Sequence, residues 1–145
     1  MAEMIPESHG RIRIVNPADP GGGIDFIHNQ DARIRWRIMS IKYVFAADGN
    51  VANREPGVEF FRGTELLLRL GVERVVPASQ TWTVLHYNGG IIGGPIAGRV
   101  MVGGLPNRFM INDGTIVRSR VGNLQAGDLI TDIYIMVEEW IEPLV

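Results

Sequence analysis

The sequence predicts an all-β fold, namely a single antiparallel β-sandwich of the jelly-roll type with about eight or nine strands. Two observations lead to this prediction. Turn-forming residues recur at short intervals along the 145-residue chain, which contains 18 glycines and eight prolines. Between these turns apolar and polar residues alternate, which is typical of strands with one buried face. Helical spacing is nearly absent, because its best candidate, residues 64–70, lies between Gly63 and Gly71 and is too short for a stable helix.

The clearest alternation occurs in two adjoining segments of opposite phase. In RIRWRI, residues 33–38, the even-numbered positions are apolar and the odd-numbered positions are arginines. In IKYVF, residues 41–45, the odd-numbered positions carry the apolar side chains. A change of phase within one strand is what an extra residue produces, so we predict a β-bulge near Met39 and Ser40.

The remaining strands follow from the same alternation. They are predicted at 11–15, 58–62, 65–70, 81–87, 99–102, 108–111, 115–120 and 129–140. The last of these is apolar on both faces through 133–137, which favours a central strand or a strand covered on one side by another subunit. The predicted core consists of Trp36, Ile38, Ile41, Tyr43, Phe45, Leu66, Leu68, Val84, Phe109, Ile133, Ile135 and Val137.

Composition limits how the chain can be divided into domains and which classes of function it can have. We predict an N-terminal arm at residues 1–10 and a single β-sandwich domain at 11–145, since 46% of the residues are apolar and can form a packed core. We predict neither a transmembrane helix nor a signal peptide. A net charge of -2 argues against a general nucleic-acid binder. The absence of cysteine excludes thiol catalysis and zinc–thiolate sites.

The sequence predicts no catalytic, cofactor-binding or metal site. His9, His28 and His86 are far apart and form no close pair of the kind that binds a metal. The segment 48–50, Asp-Gly-Asn, lacks the evenly spaced acids of a calcium loop, so we interpret it as a hairpin turn between two strands. Asn53 and Arg54 are expected to satisfy local backbone groups or to start the next strand. We therefore predict that the chain is not an enzyme.

One enzyme family remains as a distant alternative. The segment GGGIDFIHN resembles the G-x-I-D substrate segment of trimeric dUTPases at residues 22–25, and that family has a similar size and a jelly-roll fold. His28 stands where the family has a tyrosine, and its serine-containing phosphate motifs are not found. The alternative predicts dUTP hydrolysis that depends on Asp25.

A second resemblance covers most of residues 33–140. RWRIMSIKYVFAADGNVANREPGVEF, with V-A-N-R at 51–54, resembles a segment found in virion proteins of tailed bacteriophages. Residues 77–79 (PAS), residues 105–106 (LP) and the closing GDLITDIYIMVEEW are similar to such proteins in the same order. The resemblance implies a jelly-roll capsid decoration (cement) protein on the virion surface, made in the host cytoplasm. It implies no catalytic residue.

We therefore expect the chain to assemble with itself, as a homotrimer first and a dimer next, and to dock on the major capsid protein or another virion protein. No nucleic acid or membrane partner is predicted. The candidate interface residues are Met4, Ile5, Arg33, Arg35, Arg37, Glu138, Glu139 and Trp140. The arginines could pair with the acidic end of a neighbouring subunit. The alternative is a head-fibre, tail accessory or carbohydrate-binding jelly-roll, for which Trp140 is the best surface tryptophan.

Overall fold

A computed structural model describes residues 10–88, 93–96, 99–112 and 114–141. These residues form eleven β-strands and no helix, so none of them could cross a membrane as a helix. The strands are β1 (Arg11–Val15), β2 (Ile27–Asn29), β3 (Ile34–Ala46), β4 (Gly57–Arg62), β5 (Glu65–Gly71), β6 (Thr81–Asn88), β7 (Gly93–Ile96), β8 (Val100–Leu105), β9 (Met110–Ile111), β10 (Thr115–Ser119) and β11 (Leu129–Ile141). The predicted all-β class is confirmed, and β2 and β7 are strands that the sequence did not predict.

The strands form two sheets that pack face to face as a β-sandwich. One sheet has seven strands in the order β1-β11-β3-β6-β8-β7, with β9 also paired to β3. The other has four strands in the order β2-β10-β4-β5. All pairs are antiparallel except β6–β8, which is parallel. Between the sheets, the buried Tyr43 phenol on β3 donates a hydrogen bond of 2.9 Å to the carbonyl oxygen of Gly57 on β4.

The predicted bulge in β3 is confirmed. Met136 pairs with Ser40 and Val137 pairs with Ile38, which leaves Met39 without a partner on β11. This extra residue reverses the phase of the strand, so both halves of β3 place their apolar side chains in the core. A second irregularity, between Thr131 and Tyr134 of β11, was not predicted.

Nine of the twelve predicted core residues are buried, and Leu68 and Phe109 are partly buried against the core. Leu66 is the exception, since it is 43% exposed. A shift in register between β4 and β5 explains the error. Leu68 pairs with the buried Phe60, but Leu66 pairs with Phe61, which points to the opposite face.

Candidate functional site

The first candidate is the outer face, by which we mean the face of the seven-stranded sheet that points away from the four-stranded sheet. The residues Ile14, Met136, Ser40 and Tyr87 form one row across β1, β11, β3 and β6. Ile14 is 57% exposed and Tyr87 is 36% exposed. Exposed side chains in the two adjacent rows are those of Ile12 and Tyr134, and the exposed Leu129 lies farther along β11, opposite Ala46. The outer face therefore combines apolar and aromatic surface across several adjacent strands.

The outer face continues to an open edge of the sheet. β1 is the terminal strand of its sheet and, within the described residues, pairs only with β11. Residues 11–14 are all exposed, and Ile12 and Ile14 alternate with Arg11 and Arg13. An exposed edge strand of this kind offers backbone hydrogen-bonding groups and apolar side chains to another chain.

Most of the charged residues predicted for the interface form ion pairs or hydrogen bonds within the chain. Glu138 forms an ion pair with Arg37 of β3. Glu139 accepts hydrogen bonds of 2.9 Å from Arg11, Arg13 and the indole Nε1 of Trp36. The prediction that these two glutamates point to opposite faces is confirmed, because Glu138 meets the outer-face Arg37 and Glu139 meets the core residue Trp36.

The predicted pairing of these acids with arginines of a neighbour is therefore corrected, since partners are already present within the chain. Although burial acts to raise the pKa of Glu139, hydrogen bonds from Trp36, Arg13 and Arg11 hold that pKa below its usual value. Glu139 is thus an ionised structural residue at the β1–β11 pair.

Trp140 is also corrected, because its side chain is buried rather than on the surface. It is 8% exposed, and the guanidinium of Arg35 lies 5.3 Å from its ring centroid. Trp36 is 2% exposed, so neither tryptophan can serve as an open stacking platform for a sugar. Arg33 is exposed just before β3, with a φ of 62°. Met4 and Ile5 lie outside the described residues.

Residues 48–50 turn the chain, but the predicted hairpin is wrong, because β3 and β4 lie in different sheets. The turn belongs to a network that includes Arg54 and Asp128. Asp48 accepts a hydrogen bond from the backbone N–H of Asn50 at 2.9 Å. Arg54 bonds the carbonyl oxygen of Ala52, as expected for local backbone satisfaction, and also contacts Asp48 and Asp128. The arrangement fixes two loops to each other.

His28, His86 and Asp25 also have surroundings that suit a structural role, and His9 lies outside the described residues. His28 stacks on Trp36 with ring centroids 5.2 Å apart, and burial lowers its pKa. Burial lowers the pKa of His86 to about 4. Asp25 accepts hydrogen bonds from the hydroxyl of Ser119 and the backbone N–H of Val121, while burial raises its pKa. Across the described ranges, no group of three or more histidine, aspartate or glutamate side chains could hold a metal ion.

The second candidate is a cluster that the sequence analysis missed, which we call the arginine site: Glu59, Arg69, Arg118 and Arg120. Glu59 has no exposed side-chain surface, and Arg69, Arg118 and Arg120 each lie 3.0 Å from its carboxylate oxygens. Arg69 and Arg120 also line a cavity of about 810 Å³. The alternating arginines of VRSR, residues 117–120, were a signal that one strand face is basic, but their glutamate partner is distant in sequence.

The described residues thus define a β-sandwich with one apolar outer face and one cluster of arginines on the opposite sheet. A scan against protein-family models and searches among curated proteins and solved structures found no match to this chain.

Proposed function

We propose that this chain is a non-enzymatic structural subunit, a capsid decoration protein of a tailed bacteriophage, which oligomerises and docks on the major capsid protein. The observation that carries the proposal is the outer face with its open β1 edge. Ile12 and Ile14 are 56% and 57% exposed at that edge. Burial of these side chains against a second subunit or a shell removes apolar surface from water, which is the main favourable term in association.

The charges of the outer face support the same role. Arg37 and Glu138 neutralise each other. Lys42 lies 4.9 Å from the ring centroid of the outer-face Tyr134. Charges that are already paired, as in Arg37–Glu138, lose less on desolvation than unpaired charges. Tyrosine is also enriched at protein interfaces, where its ring is buried and its hydroxyl finds a partner.

The resemblance to virion proteins is the reason for choosing a phage capsid as the shell. For the oligomer, the proposal is a homotrimer first and a dimer next. A stable contact of this kind buries at least about 1,000 Å² in total. The five exposed apolar or aromatic residues of the outer face, on β1, β6 and β11, can form the centre of such a contact, with the paired charges at its margin.

The first test is the oligomeric state of the full chain, measured by light scattering coupled to size exclusion. Ile14→Glu should convert the oligomer to a monomer, because the new carboxylate would be buried without a partner. Val51→Glu is the matched control, since Val51 is 98% exposed in the turn between β3 and β4. A wild-type chain that is monomeric throughout the micromolar range would contradict the oligomer.

The second test is binding to capsids of the source phage that lack this protein. Wild-type chain and Val51→Glu should co-sediment with the capsids, and Ile14→Glu should remain in the supernatant. Sugar binding by an isolated monomer, with no binding to capsids, would instead support the carbohydrate-binding alternative. Hydrolysis of dUTP that is lost in Asp25→Asn would support the distant dUTPase-like alternative.

A further inference from the structure

The arginine site lies on the four-stranded sheet and carries more positive charge than its structural role needs. Arg118 on β10 pairs in register with Glu59 on β4, and Glu59 pairs with Arg69 on β5. Arg120 follows β10 and reaches the same carboxylate. Three guanidinium groups around one carboxylate leave an excess of two positive charges, which Asp25 offsets in part through its electrostatic interaction with Arg118 and Arg120. A single arginine would be enough to compensate the buried Glu59.

The hydrogen-bond geometry leaves donors available for a ligand. Arg69 and Arg120 both contact Oε1 of Glu59 through Nε. Their terminal Nη groups, the pair of donors that binds an oxyanion side by side, are not needed for that contact. The Arg69 side chain is 56% exposed and the Arg120 side chain is 47% exposed, so both can be reached from solvent.

The shape of the surface favours an extended ligand over a small ion. The cavity of about 810 Å³ is lined by Arg69 and Arg120 together with the exposed Val75 and the partly buried Leu70. A second cavity, of about 370 Å³, shares Arg69 and Leu70 with the first and continues to Leu105 and Pro106. The two cavities together provide a path on which a carboxylate and adjoining apolar groups could bind.

The remaining charges argue against a polyanion. Glu55 and Glu73 line the larger cavity and are exposed, as is Arg74. Two carboxylates beside the arginines would repel the successive phosphates of a nucleic acid, but they would tolerate a ligand with one acid group. Charge complementarity therefore selects an isolated carboxylate with apolar neighbours.

We infer that the arginine site binds the carboxylate of an acidic peptide segment of a partner protein, with an aspartate or glutamate between apolar residues. Arg69 and Arg120 hold the carboxylate, and the apolar neighbours pack on Val75 and on the exposed part of Leu70. The inference is independent of the proposed assembly, because the site lies on the other sheet from the outer face. Failure of one would leave the other intact.

The test is a titration of the full chain with two matched peptides, acetyl-Leu-Glu-Leu-amide and acetyl-Leu-Gln-Leu-amide, followed by the NMR signals of the arginine Nε–H groups. The glutamate peptide should shift the Arg69 and Arg120 signals to saturation, and the glutamine peptide should not. Inorganic phosphate is the third ligand, which identifies a site for a free anion. Phosphate binding tighter than that of the glutamate peptide would overturn the peptide assignment.

The variants separate a binding site from a purely structural ion cluster. Arg69→Gln and Arg120→Gln should each weaken the glutamate peptide by at least about tenfold, the effect of losing one charge-assisted contact. Each still leaves two arginines on Glu59, and Arg62→Gln is the control because Arg62 is exposed on the same sheet and does not line either cavity. Glu59→Gln should tighten peptide binding, since it removes the competing carboxylate.

Unchanged affinity in Arg120→Gln, or weaker binding in Glu59→Gln with the fold retained, would overturn the inference. If a variant does not fold, the salt dependence of the wild-type chain decides. Raising sodium chloride from about 50 mM to about 500 mM should weaken the glutamate peptide several-fold through screening. Binding that does not change with salt would mean that the arginines do not hold the carboxylate.

Discussion

Replacing Arg54 by methionine should destabilise the protein more than any change to an exposed charge. The Arg54 side chain has no exposed surface, and neither has that of Asp128. Its Nε and Nη2 atoms donate to the two carboxylate oxygens of Asp128, each at 3.1 Å. Nη2 also lies 2.6 Å from Asp48, and Nη1 donates to the carbonyl oxygen of Ala52 at 2.9 Å.

The expected cost follows from what the substitution leaves behind. Methionine fills much of the same volume, but the Asp128 carboxylate then stays buried without a cation. Removing one member of a buried ion pair costs about 3 to 5 kcal/mol, since the remaining charge is uncompensated. The double variant Arg54→Met, Asp128→Asn should be less destabilised than Arg54→Met, because the orphaned charge is gone.

The measurement is urea unfolding at pH 7 followed by tryptophan fluorescence, with the free energy of unfolding obtained by linear extrapolation. Arg62→Met is the control, because Arg62 is exposed and should change stability by no more than about 0.5 kcal/mol. A cost below about 1 kcal/mol for Arg54→Met would refute the reasoning. So would a double variant that loses the sum of the two single effects.

Three further predictions concern the core. Trp36→Ala should lower the free energy of unfolding by about 3 to 5 kcal/mol, because the ring is buried and its Nε1 donates a hydrogen bond to Glu139. An unchanged melting temperature would refute the assignment of the Trp36 side chain to the core face of β3. Tyr43→Phe should cost about 1 to 2 kcal/mol in urea unfolding, because the carbonyl oxygen of Gly57 loses its hydrogen bond from the phenol. For His86, burial lowers the folded-state pKa from 6.5 to about 4, so the unfolded chain binds the proton first and stability falls as pH drops from about 6.5 towards 4. Between pH 7 and pH 5 this loss is about 2 kcal/mol, and His86→Gln should remove it; an equal pH dependence in the variant would contradict the burial argument.

Much of the fold could be predicted from the sequence because strand alternation is a local pattern. The bulge at Met39 could be predicted since both phases of β3 are visible in one continuous segment. Leu66 could not be placed, because its facing depends on how β5 pairs with β4 at the register shift. Local alternation says nothing about which residue of a neighbouring strand stands opposite.

The charged sites were harder to predict, because their members come together only in the folded chain. Arg54 and Asp128 are 74 residues apart, and Glu59 and Arg118 are 59 residues apart. The sequence also gives no means of deciding whether Glu138 pairs with an arginine of its own chain or of a neighbour. For that reason an ion pair between these acids and the arginines could be predicted, but the prediction placed it between two subunits and not within one chain.

The placement of β11 has a consequence for synthesis on the ribosome. β11 lies between β1 and β3, and its Glu139 bonds Arg11, which is 128 residues earlier in the chain. β1 therefore has no described strand to join until β11 has emerged, although it is translated first. Contacts of such long sequence separation slow folding. The surface made jointly by β1 and β11 is consequently absent from a nascent chain, and a partner that recognises it would bind finished molecules and pass over incomplete ones.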